Sequence, residues 1–308
     1  SSGMTRVLDP LLPRLEHDFG VSLGQAAWTI TAFATAYGLM QLLYGPLADR
    51  RGKLRVMSVA AALAALASLA CVLARDSLTV FIIARAAAGA FCAASIPLAM
   101  AWIGDAIPYD QRQDVLARFM IGQMIGMASG QVLGGLAAEQ SFWAWPFLFY
   151  AAVFAVVAVL LGRQREPSNQ VPKLAGHPGQ ARQPWARVIL FVAFVESLCF
   201  LGAFTFQVAH LHKVGGASLA LAGTTMVAFS LGGVAFAFLA RRWVRRLGET
   251  RLAIGGTLLA SASMAMVAVQ TSLWVAAPAI FVSGIGFYML HNTLQTNATQ
   301  MMPARRGA

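Results

Sequence analysis

Nine stretches of this 308-residue chain are each mostly apolar over roughly 20 residues, and no other feature restricts the fold as much. They run at about 25–44, 56–74, 78–103, 115–138, 143–161, 188–208, 219–240, 252–269 and 273–292. A helix of roughly 20 such residues crosses the hydrocarbon core of a bilayer. A membrane barrel would instead show alternating segments of about ten residues, whereas these runs are continuous and rich in Ala and Leu. Hydrophobic residues make up 58% of the chain and charged residues 11%, too few charges to wet a soluble surface. Soluble globular and disordered classes are therefore excluded, and the excess apolar surface faces lipid.

The first thirteen residues are also apolar, but as one helix they rise only about 20 Å, short of a bilayer. Counting this stub as span 1, the nine runs are spans 2 to 10. The chain reads as cut inside its first helix and again in the basic loop after span 10.

Charge orients the bundle. Lys and Arg number four in 45–55, two in 103–118, five in 163–187, five in 241–251 and two in 303–308. The loops on the opposite side hold only Arg14, Arg75 and Lys213. Such a bias marks the basic loops as cytoplasmic, with Asp18, Arg75, Glu139 and Lys213 facing outward. The net charge of +11 is thus a topology signal and not a nucleic-acid footprint. Cys71, Cys92 and Cys199 all fall inside spans and lack metal-ligand spacing, so they read as packing residues.

Residues 163–187 hold four prolines and many polar side chains, the composition of a linker. The expected organisation is an N-terminal six-helix bundle at 1–162, a central cytoplasmic loop at 163–187, and helices 7 to 10 of a second bundle at 188–308.

Between spans 2 and 3 the chain reads Gly45-Pro46-Leu47-Ala48-Asp49-Arg50-Arg51-Gly52-Lys53-Leu54-Arg55. A basic anchor loop accounts for the arginines but not for the order of the other residues. That order resembles the signature loop of the major facilitator superfamily. Span 4 carries Arg85-Ala86-Ala87-Ala88-Gly89, which resembles the family's buried R-x-x-x-G. Span 5 has glycines at 122, 126, 130, 134 and 135, a smooth stripe suited to close helix packing. It resembles the antiporter motif of that family at Gly126, Gly130, Gly134 and Gly135, but Gln131 stands where the motif has proline. The stretch around Asp9-Pro10 and the tail from Tyr288 to Gln295 resemble the drug-efflux branch. The 241–251 loop sits where a second-half counterpart of the signature loop belongs, as in repeat-built transporters.

The resemblance implies an all-α polytopic fold of two pseudo-symmetric bundles, here with about nine complete helices, a partial first helix, and helices 11 and 12 missing. It also implies that Asp49 latches the cytoplasmic side against helix 11. Ionisable residues inside spans are the candidates for transport chemistry. Arg85 lies about 10 Å in from the outer end of its span, too deep to snorkel easily. Asp9 in span 1 and Glu196 in span 7 begin the two halves, and a carboxyl beside Arg85 can alternate between protonated and ion-paired. Asp9 is the first candidate for that carboxyl and Glu196 the second. For Asp9, simple pairing with Arg6 at i−3 stays open. His291, Asn292, Gln295 and Gln123 are further cavity candidates, each equally readable as packing or interhelical hydrogen bonding.

The resemblance therefore implies a secondary transporter, not an enzyme, exporting small amphipathic molecules or drugs with proton coupling. A sugar or metabolite facilitator or symporter is the alternative, kept open by Gln131. The expected partners are the lipid bilayer, a small-molecule substrate and protons, with no nucleic acid. No cofactor or metal is expected, and the protein is expected as a monomer in the inner membrane of a bacterial cell.

Overall fold

The computed structural model describes residues 1–164, 184–270 and 272–300. Most of the expected linker and the whole 303–308 tail lie outside the described residues. Among the described residues every regular element is helical. The chain forms two compact units, Ser1–Val171 with Leu219–Thr224, and Pro172–Ser218 with Thr225–Ala308.

The first unit contains α1 (Ser2–Arg6), α2 (Leu12–Phe19), α3 (Leu23–Ala26), α4 (Trp28–Arg51), α5 (Lys53–Leu73), α6 (Leu78–Cys92), α7 (Ser95–Ala106), α8 (Tyr109–Ala138) and α9 (Trp145–Gly162). The second contains α10 (Pro184–Glu196), a π-helical turn (Ser197–Leu201), α11 (Gly202–Lys213), α13 (Val227–Val269) and α14 (Leu273–Gln300). Between α11 and α13 lies α12 (Leu219–Thr225), which packs mainly with the first unit.

Among the described residues, six stretches are long and apolar enough to cross a membrane: Lys53–Leu73, Leu78–Ala106, Trp145–Gly162, Arg187–Lys213, Leu219–Val269 and Leu273–Gln295. Leu219–Val269 covers two of the expected spans, divided by Gly248. Helices α4 and α8, with 24 and 30 residues, are long enough to span but more polar. Outward-facing leucines confirm the inverted polarity: Leu42 is 74% exposed and Leu73 83%, while Asp9 and Arg85 are fully buried. Lipid tolerates the first arrangement, and only the bundle interior tolerates the second.

Several helices depart from their expected outlines. Span 1 is not one helix. It stops at Arg6, turns through Val7–Leu11 and resumes as α2, which reaches Phe19. Pro10 and Pro13 have no N–H to return to the carbonyls of residues 6 and 9, so the helical ladder cannot continue there. Span 4 divides into α6 and α7 at Ala93–Ala94, and span 7 contains the π-helical turn. The expected loop at 45–55 is mostly helical, because α4 runs through Pro46 to Arg51 and the reversal is confined to Gly52 (φ 88°, ψ 143°). The basic run 241–251 is built alike: helical except at Gly248 (φ 75°, ψ 165°). Both positions need the positive φ that glycine supplies without steric cost.

Within the first unit, Asp18, Arg75 and residues 141–144 surround one cavity of about 620 Å³. Phe81, Trp143 and Phe147 meet edge to face beside it, at 5.4–6.5 Å between centroids. These are loops that the charge distribution assigns to one side of the membrane. In the second unit α13 and α14 cross closely: a Cβ on Gly256 would lie 2.7 Å from the Gly286 carbonyl oxygen, and one on Gly286 at 2.7 Å from that of Gly256. Glycine at both positions allows the two backbones to touch.

Candidate functional site

The buried polar centre of the first unit is made where α1 ends. A helix leaves its last carbonyls without intrahelical partners. The early stop of α1 frees the Met4 carbonyl, and Arg85 on α6 donates to it from both Nη1 and Nη2 at 3.3 Å. A guanidinium at a helix C-terminus also meets the negative end of the helix dipole. Its plane lies over the Phe33 ring at 4.3 Å and near Phe147 at 5.9 Å. Arg85 is thus enclosed by protein and does not face an open cavity, and its Nε has no hydrogen-bond partner among the described residues.

Asp9 sits in the turn between α1 and α2. Its Oδ2 accepts a hydrogen bond from Gln131 Nε2 at 2.9 Å and one from Arg6 Nη1 at 3.4 Å. Its Oδ1 is buried with no hydrogen-bond partner among the described residues. The expected pairing of Asp9 with Arg85 is therefore replaced: Asp9 pairs with Arg6 and Gln131, and Arg85 holds a backbone carbonyl instead. The broken helix supplies Arg85 with a carbonyl acceptor, and among the described residues no carboxylate lies within ion-pair distance of it.

The glycine stripe of α8 brings Gln131 to Asp9. A Cβ on Gly130 would collide with the Gly3 carbonyl oxygen, and one on Gly134 with that of Val7. A Cβ on Gly126 would lie 3.2 Å from the Ser2 Cβ. Gly135 serves the next face, where a Cβ would lie 2.9 Å from the Leu219 carbonyl oxygen. With α1 lying directly on α8, Gln131 (2% exposed) projects from the stripe onto the carboxyl. Sequence reasoning missed this role. Its one signal was an amide in an otherwise apolar, glycine-lined face, at the position where the resembled motif has proline.

Gln123 on α8 is half-buried. Of the signature residues, Gly45, Asp49, Arg50 and Arg55 are exposed, while Lys53 is buried and ion-pairs with Asp105 at the end of α7. Arg112 caps the same end, donating from Nη2 to the carbonyls of Gly104 (2.7 Å) and Ile107 (3.2 Å). The Lys53 partner was not foreseen.

The second unit collects three of the four candidates expected there. Glu196, the last residue of α10, is buried, and its Oε2 lies 3.2 Å from His291 Nδ1. His291 Nε2 in turn lies 3.1 Å from the Gln295 amide nitrogen. The imidazole stacks on Phe287 at 5.0 Å, and Phe287 stacks on Phe200 of the π-helical turn at 4.7 Å. Asn292 is half-buried one residue along. Cys71 and Cys92 are buried and Cys199 exposed, and all three are free thiols.

Outside the spans, Asp18 accepts hydrogen bonds from Arg14 Nε (2.9 Å) and His17 Nδ1 (3.1 Å). Partial burial works to raise the Asp18 carboxyl, but these two partners outweigh it and hold it below its ordinary value.

A family model described as Major Facilitator Superfamily matches residues 1–308. The multidrug export protein EmrB of Haemophilus influenzae is 30% identical over 149 residues, covering 48% of this chain and 29% of that protein. The puromycin resistance protein pur8 of Streptomyces alboniger is 27% identical, covering 98% of this chain and 73% of that protein. Several of the curated relatives match over about a third of their own length (29–33%). Among solved structures, a bacterial homologue of the human lysosomal transporter Spinster, inward-facing and unoccupied, superposes with a TM-score of 0.69 at 19% identity. That match covers 96% of this chain and 72% of the other, and it establishes the shared fold.

Proposed function

The chain belongs to the major facilitator superfamily, and from that membership we propose that it exports a small amphipathic molecule in exchange for protons. The exchange runs by alternating access between two half-bundles joined through residues 163–187. The observation that carries this reading is Asp9: a fully buried carboxyl at a helix break, holding one cation and one amide through a single oxygen. Loss of its charge weakens both contacts, and with them the junction of α1 and α8, so protonation and helix position become one equilibrium. The names of EmrB and pur8 support a drug-like substrate. The proposed setting is the inner membrane of a bacterial cell, with the protein acting as a monomer and needing no cofactor.

The test is dye efflux from proteoliposomes under an imposed pH gradient, comparing the wild type with Asp9→Asn. The reading expects gradient-driven transport to fall at least tenfold while dye binding persists. Undiminished gradient dependence in Asp9→Asn would overturn it. A second reading, facilitated diffusion or symport of a sugar or metabolite, is favoured by Gln131 in the place of the antiporter motif's proline. Downhill uptake of a radiolabelled sugar panel, unaffected by the gradient, would select that reading.

A further inference from the structure

We propose that Glu196, His291 and Gln295 form a proton relay serving a second carboxyl, independent of Asp9 and within the second unit. The proposal rests on the proton-coupled reading above and extends it to a second proton site.

The contacts determine which nitrogen of the imidazole carries hydrogen. An ionised Glu196 carboxylate can only accept, so the ring nitrogen facing it, Nδ1, must supply the hydrogen, and Nε2 of the neutral ring is the acceptor that faces the Gln295 amide. Nδ1 then carries the hydrogen of the neutral ring and donates it to Glu196 Oε2. Exposure rises along the same line: the Glu196 side chain is 3% exposed, that of His291 35%, and Gln295 is exposed. The chain of contacts therefore runs from a buried carboxyl to the part of α14 that precedes the basic tail.

The transfer balances without any other reactant. A proton from solvent adds to Nε2 as Gln295 rotates to present its carbonyl oxygen. The Nδ1 proton passes to Glu196, which becomes neutral, and the ring is left as the Nε2–H tautomer. The reverse sequence discharges the carboxyl. Two further features suit such a site. Glu196 Oε1 is buried with no hydrogen-bond partner among the described residues, so the carboxylate is held by the imidazole alone. Helix α10 also passes into its π-helical turn at the next residue, a local irregularity frequent at functional positions. Against α10 pack that turn and α14. Their titratable side chains among the described residues are Cys199, Tyr288 and His291, and His291 is the one within hydrogen-bond distance of Glu196.

The experiment has two arms. In the first, time-resolved infrared spectroscopy of the purified protein follows the carboxyl band that Glu196→Gln removes after a pH jump. The relay expects protonation of Glu196 to slow at least tenfold in His291→Gln, and an unchanged rate overturns it. In the second, protons moved per substrate are counted in proteoliposomes for the wild type, Glu196→Gln and Asp9→Asn. The relay expects a lower ratio in Glu196→Gln. An unchanged ratio there overturns the relay, and the proton-coupled reading stands if Asp9→Asn still loses coupling. A lowered ratio in Glu196→Gln beside an unaffected Asp9→Asn keeps the relay and removes Asp9 from the reading. Should Glu196→Gln fold poorly, the His291→Gln ratio replaces it, with the same expected fall.

Discussion

Gly130→Ala is the sharpest perturbation of the first unit, because it adds one methyl group at the contact that brings α1 to α8. The added Cβ meets the Gly3 carbonyl oxygen, which is backbone and cannot rotate away. Overpacking of this kind costs about 1–3 kcal/mol. Alanine returns up to about 1 kcal/mol through its better helix propensity. The methyl group also forces α1 off α8, which lengthens the 2.9 Å bond from Gln131 to Asp9. A hydrogen bond to a charged group contributes about 1.5–3 kcal/mol. With the full propensity gain counted, the expected net loss is about 1.5–5 kcal/mol.

Gly38→Ala is the matched control. It lies on α4, exposed, with nothing within 4 Å of an added Cβ, so it gains propensity and loses nothing. Thermal unfolding in one detergent compares the two variants, and hydrogen exchange over residues 3–9 reports whether α1 has moved. Gln131→Leu should itself destabilise, and adding it to Gly130→Ala should cost less than the sum of the two, since both break one bond. Equal stability of Gly130→Ala and Gly38→Ala, with exchange at 3–9 unchanged, would refute the reasoning.

Three other outcomes follow from the same geometry. Arg85→Lys should impair transport at least tenfold and lower the unfolding temperature, because one ammonium cannot reproduce two donations to Met4 together with stacking on Phe33; wild-type transport in that variant would refute the assignment. Asp105→Asn removes the charge that the buried Lys53 pairs with and should lower stability in denaturant unfolding, whereas Lys53→Met with Asp105→Asn should recover much of the loss. Asp18 has its carboxyl held down in the folded state, so its stabilising contribution is full above the ordinary carboxylate range and is lost as pH falls through the folded value; acid unfolding curves of Asp18→Asn should therefore be flatter than wild type on the acid side only.

The architecture was legible because lipid enforces it. Runs of roughly 20 apolar residues, and loops that alternate in basic charge, leave few alternatives to a helical bundle. A turn within each basic run was legible as well, but 45–55 and 241–251 were expected as loops, whereas the non-helical backbone is confined to Gly52 and Gly248. The polar centre was legible only as a set of residue types. Asp9, Arg85, Glu196 and His291 stand out as ionisable groups inside apolar spans, but their partners depend on where helices end. Pro10 and Pro13 account for the break after α1, which was expected as part of one helix, and nothing in the sequence tells that the freed Met4 carbonyl meets Arg85 across 81 residues. Gln131 carries the same lesson more strongly. Judged against a motif it is a missing proline, and judged by its position it is a buried amide that two glycines allow to reach a carboxyl 122 residues away. A proline at 131 would bend α8 but could donate nothing to Asp9. Glutamine at 131 therefore gives up a bend and supplies a hydrogen bond to a buried carboxyl.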